Sequence, residues 1–98
     1  MRVVFEMAAA DARKAEETLR KDDLVGRQSI YVRNAKALGL EGDNVYIVLD
    51  GSEEAVNKAK ELLKDLAKEA EKSEEILAAF DKIEQAAASG MGFILGGE

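Results

Sequence analysis

Apolar and polar residues alternate at the start of the chain. Val3, Phe5 and Met7 fall on one side of an extended backbone, and Arg2, Val4 and Glu6 on the other, which predicts a strand over 2–7. The period then changes. Ala8, Ala12, Ala15 and Leu19 recur at helical spacing among good helix formers, predicting a helix from about Ala9 to Asp22. After Gly26, the β-branched and aromatic run Gln28–Arg33 predicts a second strand. Gly39–Asn44 is a turn cluster, and Val45-Tyr46-Ile47-Val48-Leu49 is the clearest strand in the chain.

Asp50-Gly51 turns that strand, and Ser52-Glu53-Glu54 opens a helix, with Ser as N-cap and carboxylates in the electropositive first turn. The helical pattern runs on to Ser89, and an unbroken rod of that length would measure about 55 Å. A second Ser-Glu-Glu at Ser73 offers a fresh start, so two helices are expected, at about 53–71 and 74–89, with Gly90 as the stop. The apolar, Gly-rich end, Met91–Glu98, is expected to form a short last strand or a docking tail. This order predicts a single α+β domain over 1–98. Its plan is a ferredoxin-like split β-α-β-β-α sheet with an extra C-terminal helix and a short apolar tail or fourth strand.

Composition narrows the function more than it names it. There is no Cys, His, Trp or Pro, so disulfide staples, zinc fingers, thiol nucleophiles and imidazole bases are ruled out. Enzyme chemistry would fall to Asp, Glu, Lys, Tyr or Ser without a recognisable catalytic motif. A non-catalytic protein with no cofactor and no metal is expected. Asp50, Glu53 and Glu54 lie close together, but turn and cap positions account for them. No stretch approaches the ~20 apolar residues that span a bilayer, and the start lacks a signal-peptide core. No membrane association and a cytoplasmic location are expected. A Lys- and Glu-rich chain without Cys also leans towards a thermophile.

Charge is uneven. Residues 1–40 carry eight Lys/Arg against six Asp/Glu, whereas residues 41–98 carry six Lys against fourteen acids, within a net charge of −6. A local basic patch around Arg20, Lys21, Arg27 and Arg33 is possible, with pairing to the acidic second half as the plainer reading. On the predicted 53–71 helix, Lys60, Lys64, Lys68 and Lys72 form a stripe beside Glu61, Asp65 and Glu69, a pattern of solvated helix faces.

The sheet face turned away from the helices carries the chemistry of interest. With Val3, Phe5, Ile30, Val32, Val45, Ile47 and Leu49 facing helices, the other face presents Arg2, Val4, Tyr31, Arg33, Tyr46 and Val48. Two tyrosines and two arginines on an open sheet suit RNA bases and phosphates. A net negative chain suits coverage of that face by a second subunit, the extra helix or the tail. The C-terminal helix adds an apolar stripe of Ile76, Leu77, Phe80 and Ile83, and the tail adds Phe93, Ile94 and Leu95. The expectation is a homo-oligomeric interaction module whose surface comprises Tyr31, Arg33, Tyr46, Val48, Ile76, Phe80, Phe93, Ile94 and Leu95. RNA binding through Tyr31, Tyr46, Arg2 and Arg33, or a small-molecule regulatory role, are the alternatives.

Gly39-Leu40-Glu41-Gly42 followed by VYIVLDGSEEAVNKAKELL resembles the GxxG loop and closing strand and helix of KH domains, a resemblance that implies RNA backbone contact. In that family the loop joins two helices and its middle residues are usually basic. Here Glu41 and Asp43 are acidic and a strand follows, so a hairpin turn is expected. Across the chain, RQSIYVRNAKALG, YIVLDGSEEAVNKAKELL and the Gly-rich apolar end resemble small uncharacterised proteins of hyperthermophilic archaea. That resemblance implies no activity, substrate or site.

Overall fold

The alternation at the N-terminus does form a strand, β1 (Arg2–Met7), and the Ala-rich segment after it forms helix α1 (Ala9–Lys21). The computed structural model describes residues 1–88. A single 3-10 turn (Val25–Arg27) leads into β2 (Ser29–Asn34), and another (Lys36–Leu38) into β3 (Val45–Asp50). Helix α2 (Glu53–Leu62), the two-residue strand β4 (Lys68–Glu69) and helix α3 (Ser73–Ala88) complete the described chain. The strands form one antiparallel sheet in the order β2-β3-β1-β4, so β1 and β3 are central. Among the described residues no helix is long and apolar enough to cross a membrane.

Register sorts the side chains. Val3 faces Leu49, Phe5 faces Ile47 and Met7 faces Val45 across β1 and β3, while Ile30 and Val32 of β2 continue the row opposite Leu49 and Ile47. Successive strand residues point to opposite faces, so these side chains share one face. There they pack with Ala15 and Leu19 of α1, Val25, Val56 and Ala59 of α2, and Leu63. The expected division of the sheet into two faces therefore stands.

Two expectations need correction. Residues 53–71 do not form one helix. Ser52 does cap α2, its hydroxyl accepting from the Ala55 N–H at 3.1 Å, but the helix stops at Leu62. Leu63 is fully buried, and its carbonyl accepts from both the Leu66 and Ala67 N–H groups at 2.9 Å. The chain turns there, and Glu69 and Lys68 pair with Phe5 and Glu6 along the free edge of β1. Continuing the helix would leave that edge unpaired, and unpaired buried backbone groups are costly. The Lys60–Lys72 stripe is thus not a helix face, since Lys64, Lys68 and Lys72 lie beyond α2; Lys60 instead reaches Glu69 at 3.4 Å.

The second correction concerns the description of the other sheet face as open; of the covers expected for it, a second subunit, the extra helix or the tail, the extra helix α3 is the one that packs there among the described residues. Val4, Tyr46 and Val48 on that face pack with Ala35, Leu38, Ala70, and Ile76 and Phe80 of α3 into a second core. The fourth strand is β4, which carries the chain from the first face round to the second. Expectations placed on Met91–Glu98, including a strand there, lie outside the described residues.

The turn between β2 and β3 depends on its glycines. Ala35 donates to the Asn44 carbonyl at 2.9 Å to close the loop. Gly39 and Gly42 hold φ of +74° and +103°, the left-handed region that glycine enters without a Cβ penalty.

Candidate functional site

Six of the nine residues expected at the interaction surface, Tyr31, Arg33, Tyr46, Val48, Ile76 and Phe80, are brought together by the fold. They meet inside one chain, because α3 lies across the sheet face with Ile76 and Phe80 inward. The Tyr31 and Phe80 rings stand 5.0 Å apart, tilted by 55°, a geometry favourable for aromatic pairs. The Arg33 guanidinium lies 5.7 Å from the Phe80 ring centre and 6.0 Å from that of Tyr31. Its Nη2 sits 3.9 Å from Oε1 of Glu84. Phe93, Ile94 and Leu95 lie outside the described residues.

Arg2 is committed in the same way. Its Nη1 and Nη2 donate to Oδ1 and Oδ2 of Asp81 at 2.6 and 3.1 Å, a two-pronged pair between β1 and α3. The hydrogen bond from Arg2 holds the Asp81 carboxyl below the usual carboxylate range and raises Arg2 in return. Both arginines and both tyrosines proposed for RNA contact therefore face α3 or the core beneath it. While α3 is docked, the two rings offer no stacking platform. The basic patch is likewise dispersed, with Arg20 paired to Glu16 at 2.8 Å and Arg33 beside Glu84.

Beside this second core lies a feature not visible in any one segment. A cleft of about 460 Å³ opens between β1, the turn after β2 and the start of α3. Glu6, Glu41, Glu71 and Glu75 contribute its acids, and among the described residues Lys72 is its one cation. Leu40, Tyr46 and Ile76 supply apolar surface. The four carboxylates come from four places in the chain: a strand, a loop, the turn after β4 and a helix. Only the folded topology gathers them, which is why spacing along the sequence does not reveal the group. The acidic Glu41 of the Gly39–Gly42 turn was the single visible hint.

Tyr46 connects the cleft to the core. It stands opposite Glu6 across β1 and β3 and is only 8% exposed. Burial, and then the charge of Glu6, push its phenol above the ordinary tyrosine range. Glu6 is oriented by the Asn44 side-chain amide, which donates to its Oε2. Among the described residues no group of three Asp or Glu is placed to hold a metal ion, so the carboxylates ring the cleft without converging on one point. Comparison of the chain with protein-family models, with curated proteins and with solved structures finds no match.

Proposed function

We propose that this chain is a non-catalytic association module on a ferredoxin-like plan, working in the cytoplasm as a homo-oligomer. The strand order β2-β3-β1-β4, with α1 and α2 on one face, supports the plan. The absence of His and Cys supports a role without turnover.

The observation that carries self-association is the apolar stripe of α3. Ile76 and Phe80 are 3% and 5% exposed against the sheet, but Ile83, next along the same stripe, is 40% exposed. The sequence after it supplies Phe93-Ile94-Leu95, three more side chains whose exposure would forgo several kcal/mol at about 25 cal/mol per Å². Since α3 already covers the sheet face, the surface offered to a second copy is the part of α3 around Ile83, with the apolar sequence that follows it as its proposed extension.

Light scattering after size exclusion, on the full chain and on one ending at Ser89, tests this. An oligomer that becomes a folded monomer on truncation, and also on Ile83→Glu, is the expected result. A monomeric full chain at high concentration would rule the reading out.

A further inference from the structure

We propose that the cleft between β1, the Gly39–Gly42 turn and the start of α3 binds an aliphatic ammonium chain, held by Glu6, Glu41, Glu71, Glu75 and the Tyr46 hydroxyl. This site is separate from the association surface at the far end of α3, and does not depend on it.

The charge balance points to a cation. Four carboxylates face Lys72 and the positive end of α3, which counts for about half a charge. The excess remains negative by more than two charges. Acids alone could be a solvated rim; the Tyr46 hydroxyl distinguishes this cleft from one. Tyr46 is more than nine-tenths buried, lines the cleft, and its hydroxyl makes no hydrogen bond among the described residues. No buried side-chain oxygen or nitrogen among the described residues lacks a partner, so this unpaired hydroxyl is open to solvent, on a residue whose side chain lines the cleft. A phenol oxygen there, in register with Glu6 on the same face, can accept from an ammonium group while its own proton is given to water or a carboxylate. Glu6 spends Oε2 on Asn44 and keeps Oε1 for a ligand.

Shape selects among cations. A divalent metal needs its oxygens within about 2–2.6 Å of one point, and these carboxylates do not converge. A volume of about 460 Å³ lies within the ordinary range for small-ligand sites. The Tyr46 ring, Leu40 and Ile76 offer methylene-compatible surface between the acids. An alternation of apolar floor and carboxylate rim matches a chain of methylenes punctuated by ammonium groups. Free polyamines and lysine side chains share that chemistry.

Isothermal titration calorimetry of the full chain at low salt, with spermidine and separately with tetralysine, tests the assignment. Saturable binding at one site is expected, weakened about tenfold or more in the exposed pair Glu71→Gln/Glu75→Gln, which removes two charges. Tyr46→Phe, which removes only the hydroxyl, should weaken it about threefold to tenfold. Lys72→Gln should tighten it about threefold, since it deletes the competing cation. Circular dichroism on each variant separates lost binding from lost fold. Spermidine binding assigns a free polyamine, and tetralysine binding alone assigns a lysine side chain of a partner. No saturable heat with either, equal displacement by the same concentration of Mg²⁺, or indifference to Lys72→Gln would overturn the proposal.

Discussion

On one face of the sheet, two helices bury Leu19, Val56 and Leu63 against Phe5, Ile47 and Leu49, with every principal side chain aliphatic or aromatic. On the other, a single helix sets Ile76 and Phe80 against Val4 and Val48, and the seam is edged by Arg2–Asp81 and Arg33–Glu84. The first face is closed by elements lying between strands in the sequence. The second is closed by an element that follows the last strand among the described residues. A helix between two strands cannot leave without breaking the sheet, whereas one that follows the described strands is not held at both ends by them. The two faces should therefore differ in how their loss propagates.

Large-to-small substitutions would break that comparison or sharpen it. Leu63→Ala empties a fully buried position where α2 ends, and should lower global stability by about 2–5 kcal/mol in urea unfolding. Phe80→Ala should cost less than the ~3–5 kcal/mol usual for a buried Phe, because the loss is capped by the docking free energy of α3. Hydrogen exchange makes the distinction visible. Amides of α3 should exchange early in Phe80→Ala, while β1 and β3 stay protected. Equal loss of protection in both regions would show the two faces to be one cooperative unit.

The same asymmetry explains what could be read from the sequence. β1, α1 and β3 were legible because each matches a single period, and the cap at Ser52 because its residue type has a local reason to be there. β4 was not legible: Lys68-Glu69 has no strand pattern and is extended only because the edge of β1 lies beside it. Coverage of the second face by the extra helix was among the expectations, and β3 carries a further signal for it. Val45–Leu49 is apolar without alternation, and Val4 and Val48 point to the second face; a continuous apolar strand is characteristic of burial on both sides. The acidic cleft had Glu41 alone as a sequence signal, since its carboxylates come from a strand, a loop, a turn and a helix that only the fold brings together.

A smaller effect separates the two Ser-Glu-Glu segments, which look alike in sequence. Ser52 stands before α2 and caps it through the Ala55 N–H. Ser73 is instead the first residue of α3, and the Lys72 carbonyl accepts the first helical bond, from the Ile76 N–H at 3.0 Å. Ser52→Ala should therefore cost about 1 kcal/mol. Ser73→Ala should stay within about 0.5 kcal/mol, the range of surface substitutions without a structural role. Thermal denaturation of the pair measures both, and equal losses would mean that Ser73 also caps.

The smallest expected effect is on acid stability, where each face contributes one carboxyl. Asp22, beside the first core, is lowered mainly by the Val25 N–H and then by Lys58; its Oδ1 accepts from Leu24 and Val25 at 3.0 Å, and Oδ2 meets the Lys58 ammonium at 2.9 Å. Asp81, on the second face, is lowered by Arg2. A carboxyl whose folded value lies below its unfolded one, about 4, binds fewer protons when folded. Its stabilisation is complete above the unfolded value and is lost as pH falls through the folded one. The urea midpoint should thus fall on acidification below about pH 5, and Asp22→Asn or Asp81→Asn should each flatten part of that fall. Salt then tells the faces apart. Arg2 and Asp81 are 35% and 45% exposed, so added salt should screen them and bring Asp81→Asn close to the parent. Backbone donors to Asp22 are fixed dipoles at contact distance, which mobile ions screen poorly, so Asp22→Asn should remain distinct. If salt erased both differences equally, Asp22 would be held by Lys58 rather than by the turn it closes, and the two faces would share one electrostatic logic.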